Sequence, residues 1–396
     1  MTLPQVQRLQ EYLRVYAIHP NPDYTSSVEY VVSLAKDLKL QHKIVEVAPK
    51  NPLVIVTLPG THPEEPSLAL NSHMDVVPVY RENWTHDPFA ADLVEDETHG
   101  EIIYARGAQD MKSIGIAHLE AIRELLSESI QLRNTIHVIF APDEEVGGAK
   151  GWEQFSKTQE YRDLNIGLFL DEGLPNPDGT LRVFHGERAP WWVRFTFEGN
   201  TGHGLKFVEN TAVEGLLNST NTLLKFRAEQ KQKLEASNGK LTLGQVSTVN
   251  LTMLKSGVQP NVVPGNVEAV FDIRVSPNDD PDEVMAMLKQ TAKENNAKME
   301  FITFFPKPIV TPIDSNPSWW QKLQSAFKKH NYDYVPDIMP GTTDARYVRQ
   351  SGVPALGISP FLNTPGLLHD HDEFIPVKEY LFAIKFYKNL ILELAN

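Results

Sequence analysis

The 396-residue sequence predicts an α/β protein, a mixed, mainly parallel sheet flanked by helices, with a smaller α+β domain inserted into it. Three observations carry this expectation. Apolar runs of strand length at residues 53–58, 67–70, 135–140 and 166–170 alternate with stretches of helical periodicity. From about residue 191 the rhythm changes to alternating strands and two helices in the order β-α-β-β-α-β, a ferredoxin-like split unit. After Pro306 and Pro308 the chain returns to a helix, a strand and a last helix. The expected domains are therefore 1–188 and 307–396, two parts of one catalytic domain, with 189–306 as the insert. A chain of this length exceeds what one simple core accommodates.

The elements follow in order. Leu3, Val6, Leu9 and Leu13 recur at helical spacing over residues 2–18, with Pro4 in the first turn, where proline is tolerated. Thr25, Ser26 and Ser27 are expected to cap a second helix carrying Val28, Val31, Val32 and Leu38. Strands are expected at 53–58 and 67–70, a helix at 110–126, and strands at 135–140 and 166–170. In the insert, strands fall at 191–197, 248–254, 267–275 and 299–305, and helices at 211–234 and 282–295. A helix begins near residue 317, a strand covers 355–359, and the final helix starts near residue 378.

Composition narrows the function. A net charge of −14 gives no attraction to nucleic acid or an anionic membrane surface. No apolar stretch approaches the roughly 18 to 20 residues that cross a bilayer. The first residues, MTLPQVQR, lack a basic segment followed by an apolar one, and there is no cysteine, so a cytoplasmic protein is expected. The glycine-rich residues 145–151 (EVGGAKG) lack the spacing of a phosphate loop, and no Gly-x-Ser-x-Gly elbow offers a serine nucleophile.

The chemistry-bearing residues sit beside apolar strands. His73 and Asp75 are two apart, so in extended chain they share a face, one able to ligate a metal while the other orients it. Asp110 opens a predicted helix. Asp143, Glu144 and Glu145 follow one strand, Asp171 and Glu172 follow another, and residues 368–373 (LHDHDE) cluster five titratable groups. The carboxyl ends of parallel strands line one crevice. A bare buried carboxylate is costly, whereas imidazole and carboxylate together suit a divalent cation. A metal-dependent hydrolase is the reading that the residues themselves support.

Seven motifs in order resemble the M20-type family of zinc metallopeptidases and amidohydrolases, from near the N-terminus to the last helix. They are residues 72–78 (SHMDVVP), 104–112 (YARGAQDMK), 142–148 (PDEEVGG), 170–173 (LDEG), 187–194 (ERAPWWVR), 341–346 (GTTDAR) and 368–373. The resemblance implies two Zn²⁺ per subunit on a zinc-peptidase-like fold. Asp110 would bridge the ions, with His73 and Glu172 on one and Glu145 and His369 on the other. It favours Glu172 over Asp171 and His369 over His371. Asp75 would support His73, and Glu144 would be the general base of a metal-assisted hydrolysis. His203, in residues 200–204 (NTGHG), would stabilise the oxyanion from the partner subunit, which makes the insert a lid and dimerisation domain of a homodimer. The Gly204-Leu205 that follows this histidine departs from the small and polar residues common in the family. Asn261, Arg274 and Arg346 would grip a substrate carboxylate. The implied substrate is an N-acyl-L-amino acid, with a dipeptide, cleaved by a dipeptidase or aminopeptidase of the same family, as the alternative.

Overall fold

The computed structural model describes residues 3–315 and 317–396. The chain divides into two compact units: Met1–His185 with Thr311–Pro336 and Thr343–Asn396, and Gly186–Val310 with Asp337–Thr342. The short return of residues 337–342 to the second unit has no counterpart in the sequence pattern.

The first unit is organised by an eight-stranded sheet. Its order is Tyr334–Met339, Leu181–Glu187, Ala355–Gly357, Ile166–Asp171, Ser67–His73, Ile136–Ala141, Asn51–Leu58 and Gln41–Ala48. The parallel pairings run through the four central strands, from Ala355–Gly357 to Ile136–Ala141. Antiparallel strands flank them on both sides. Ser67–His73 and Ile136–Ala141 are buried at every position, as expected of strands covered on both faces. Their register pairs His73 with Ala141, while Gly357 pairs with Asp171, so the carboxyl ends of the parallel strands lie together.

Helix Lys112–Ser127 packs on Ser67–His73 and Ile136–Ala141 and is covered in turn by Pro4–Leu13 and Val377–Leu394. Gly115 makes the close approach possible: a Cβ there would lie 2.6 Å from Ser72 Oγ and 2.7 Å from Phe140 Cε1. A separate three-stranded sheet joins Phe374–Pro376, Gly100–Tyr104 and Asp92–Asp96, with Phe374 opposite Tyr104. This pairing carries the segment after residue 367 to the loop that precedes helix Lys112–Ser127.

Three local expectations need correction. The first helix spans Pro4–Leu13; its expected start at Thr2 lies outside the described residues. The second helix, Thr25–Asp37, already contains Thr25, Ser26 and Ser27, and no side chain caps its N-cap residue Tyr24. Instead Asp23 Oδ1 accepts the amide of Thr25 at 3.0 Å. The helix expected from residue 110 starts at Lys112, so Asp110 is not a cap but belongs to the loop before it.

The second unit is an antiparallel sheet in the order Thr248–Ser256, Asn266–Val275, Ala189–Glu198 and Ala297–Phe304. Helices Ala212–Ala236 and Pro281–Glu294 complete the β-α-β-β-α-β order. Trp191, Phe195, Phe197 and Phe271 build its core with Leu216, Leu223 and Leu288 from the helices. A capping box between Thr211 and Glu214 starts the longer helix.

Candidate metal centre and active site

Three of the four central strands deliver an acidic or imidazole group at their carboxyl ends. His73 is the last residue of its strand, and Glu172 directly follows Ile166–Asp171. After Ile136–Ala141 the chain makes one 3₁₀ turn, Glu144–Val146. Asp143 enters the turn at φ 72°, and Gly147 and Gly148 leave it at φ 103° and 63°. These left-handed conformations suit glycine and are tolerated by aspartate. The amides of Gly147 and Gly148 donate to the carbonyls of Glu144 and Asp143 at 2.7 and 2.6 Å. In the turn, Glu144 and Glu145 escape the alternation of a strand and share one locale.

The structure brings His73, Asp110, Glu144, Glu145, Glu172 and His369 together. Asp110 presents its two oxygens to two imidazoles, Oδ1 at 2.9 Å from His73 Nε2 and Oδ2 at 3.1 Å from His369 Nε2. Glu145 Oε2 is 2.9 Å from His369 Nε2, and Glu172 Oε2 is 3.7 Å from His73 Nε2. Two overlapping sets, His73 with Glu144 and Glu172, and His73 with Asp110 and Glu145, each gather their donor atoms within 4.8 Å. By geometry alone Glu144 is placed as well for ligation as for proton transfer.

The sequence neighbours of Glu172 and His369 have partners of their own. Asp171 points elsewhere: its oxygens accept Asn71 Nδ2 at 2.9 Å and the amide of Ala345 at 2.8 Å. His371 lies by Asn83 and Tyr80, not in the cluster. Asp75 meets His73 through its main chain. His73 Nδ1 is 2.9 Å from the main-chain carbonyl of Asp75, whereas the nearer carboxylate oxygen is 3.9 Å away.

The electrostatics of this cluster are those of a site short of positive charge. Burial, then the charge of Asp110, push Glu145 up to about 7. Burial and Glu172 push Glu144 well above the ordinary carboxylate range, and burial and Asp110 do the same to Glu172. Hydrogen bonds to Asp110 and Glu145 push His369 up to about 10. Burial disfavours a charge on His73, but its bonds to Asp110 and Glu172 outweigh this and raise its pKa. Burial likewise opposes ionisation of Asp110, whose bonds to His369 and His73 nevertheless hold its carboxyl below its usual range. Glu145 Oε1 is buried without a hydrogen-bond partner among the described residues. Cationic histidines and an orphaned carboxylate oxygen are what a donor set shaped for divalent cations shows when only protons balance its charge. The residues fit a metal pair.

Other expected site residues have definite places. His203 ends strand Gly202–His203, opposite Val262, and its Nδ1 accepts the Leu205 amide at 3.2 Å. Gly204 donates to the Asn261 carbonyl at 2.9 Å, so His203 and Asn261 lie beside one two-stranded antiparallel pairing of the second unit. Arg274, in the same unit, makes a two-point pair with Asp272 at 2.7 and 3.0 Å. Arg346, in the first unit, donates to the carbonyls of Thr343 and Gly147 at 2.8 and 2.6 Å. It therefore braces the turn that carries Glu144 and Glu145.

Several contributors escaped the sequence reading. Glu373 is fully buried and accepts the amides of Gly107, Gln109 and Asp110 at 3.0, 2.6 and 3.3 Å, with Arg106 Nη1 at 2.7 Å. It sets the loop that aims Asp110; its only sequence signal was membership of the 368–373 cluster. Asp344 is buried with no hydrogen-bond partner among the described residues on either carboxylate oxygen, and burial and Asp171 push its pKa well up. His19 Nε2 lies 2.8 Å from Asp75 Oδ2 and carried no signal in the sequence.

Comparison with known proteins places this architecture. Residues 69–393 match peptidase family M20/M25/M40. The chain is 45% identical over 395 residues to aminoacylase-1A of Rattus norvegicus and 44% identical over 396 residues to aminoacylase-1 of Homo sapiens, covering 99% of this chain and 96% of each relative. Aminopeptidase PepT from Bacillus cereus superposes with a TM-score of 0.76 at 19% identity, covering 99% of this chain and 98% of that one. A dinuclear metal binding peptidase of the M20 family from Bacillus subtilis superposes at 0.67 and 15% identity, covering 99% and 97%. Sequence and fold agree, and the chain belongs to peptidase family M20/M25/M40.

Proposed function

We propose that the protein is a di-zinc N-acyl-L-amino-acid amidohydrolase, cleaving the amide to a carboxylate and a free L-amino acid. One observation carries the reading. The cluster of buried His73, Asp110, Glu144 and Glu172 with half-buried Glu145 and exposed His369 lies in a chain 44–45% identical, over almost its whole length, to proteins named aminoacylases.

Asp110 would hold both zinc ions, His73 and Glu172 the first, and Glu145 and His369 the second. A bound metal pair supplies Lewis acidity and lowers the pKa of water from about 15.7 towards 7. Glu144 takes the proton of the attacking water and returns it to the amide nitrogen, which leaves badly as an anion. In the metal-free protein burial, then the charge of Glu172, raise the proton affinity of Glu144. Asn261, Arg274 and Arg346 are the proposed carboxylate-binding residues; Arg274 would exchange Asp272 for the substrate. The reading includes a cytoplasmic homodimer formed through the second unit, with His203 of one copy stabilising the oxyanion at the other.

Hydrolysis of N-acetyl-L-methionine and of a matched dipeptide, measured under one zinc condition, tests the substrate class. Preference for the acyl amino acid is expected, and clear preference for the dipeptide would replace this reading with a dipeptidase. Zinc content near two per chain is the expected stoichiometry.

A further inference from the structure

His19 takes no part in the reaction described above, yet it is 8% exposed and tied to its core. The two-residue strand Ala17–Ile18 pairs in parallel with Asp75–Val76, Ala17 opposite Asp75. The amide of His19 continues that ladder by donating to the Val76 carbonyl at 3.2 Å. Its side chain is thereby delivered to Asp75, with Nε2 at 2.8 Å from Oδ2. Asp75 is fully buried, and its carboxylate has other work. Oδ2 accepts the amide of Glu145 at 3.1 Å, and Oδ1 accepts the amide of Glu144 at 3.4 Å. His73 is served by the main-chain carbonyl of Asp75.

We propose that His19 is a positioning residue: by holding the Asp75 carboxylate, it fixes the main-chain amides of Glu144 and Glu145 and so the placement of both glutamates in the active site. The inference rests on the hydrolase reading above and adds to it a residue two contacts from the chemistry. Without a donor at His19, Asp75 has one strong partner fewer and is free to turn towards His73 Nδ1, 3.9 Å from Oδ1. The turn carrying Glu144 would then lose its anchor, while Glu144 itself stayed intact. Either neutral imidazole with hydrogen on Nε2 or imidazolium donates this bond, so the role needs no change of protonation. A carboxamide of the right length can do the same.

The test uses full-length, zinc-loaded protein and N-acetyl-L-methionine. His19→Leu is expected to lower kcat of the zinc-loaded protein about tenfold, in the range usual for residues that orient active-site groups, with KM unchanged and zinc affinity weakened, because the Glu145 amide shares Asp75 Oδ2 with His19. His19→Gln, which keeps a donor near the same reach, is expected to return kcat to within about threefold of wild type. His19→Asn, one carbon shorter, should stay low. Wild-type kcat in His19→Leu overturns the inference. So does equal kcat in the Gln and Asn variants, a comparison that decides the matter even where the Leu variant does not fold. A zinc-loaded wild type that hydrolyses neither acyl amino acid nor dipeptide removes the hydrolase reading itself, and the inference with it.

Discussion

Glu145 and His369 meet at 2.9 Å, Oε2 to Nε2, although one follows the strand Ile136–Ala141 and the other precedes Phe374–Pro376. Glu144, the immediate neighbour of Glu145, is instead gathered with His73 and Glu172. A single 3₁₀ turn thus sends adjacent glutamates to distinct sets that share His73, and the two can be separated by mutation.

Glu145→Ala is expected to reduce bound zinc, because it removes the carboxylate that meets His369 at 2.9 Å. Glu144→Gln should retain zinc and the wild-type melting temperature while losing at least about 100-fold in kcat, the scale of general acid–base catalysis. Metal analysis beside steady-state kinetics checks both. Zinc loss in Glu144→Gln would make that residue a ligand.

Chelation should lower the melting temperature and create a new pH dependence. In metal-free protein Glu145 is raised to about 7 and His369 to about 10. Both groups bind protons more tightly folded than unfolded. Their contribution is present below the unfolded values, near 4.5 and 6.5, and is lost as pH rises through 7 and 10. The chelated protein is therefore expected to melt progressively lower between pH 6 and pH 9, with the zinc-loaded protein much flatter. Parallel curves for the two forms would contradict the electrostatic account.

Glu373→Ala should cost about 3–5 kcal/mol, because it strands the buried Arg106 charge and three main-chain amides. Since one of those amides belongs to Asp110, zinc affinity should fall as well. Denaturant titration and zinc competition report the two effects separately.

His118 offers a prediction remote from catalysis. It lies in the core against Tyr387, neither ring nitrogen has a hydrogen-bond partner among the described residues, and burial lowers its pKa to about 3. The unfolded chain binds a proton below about pH 6.5 that the folded one refuses, so stability is lost as pH falls from 6.5 towards 3. His118→Phe should raise the melting temperature and weaken this acid sensitivity, as differential scanning calorimetry at pH 7 and pH 5 would show.

What the sequence determined by itself is tied to periodicity. Ser67–His73, Ile136–Ala141 and Ile166–Asp171 announced themselves as apolar runs because strands covered on both faces must be apolar throughout, and the polar residues ending them stood out against that background. The β-α-β-β-α-β order of residues 189–304 was legible because one face of its sheet is buried and its strands alternate. Asp92–Asp96, Gly100–Tyr104 and Phe374–Pro376 were not legible: they are short, carry charge or proline, and pair with one another across the chain. Tertiary structure alone decided that Glu373 rather than a helix start organises Asp110, that the Asp75 carboxylate faces His19, and that Arg346 braces the Gly147 carbonyl. The physical reason is common to all three. A buried polar group must find its partner wherever the fold supplies one, and that partner's distance along the chain leaves no periodic trace in the sequence.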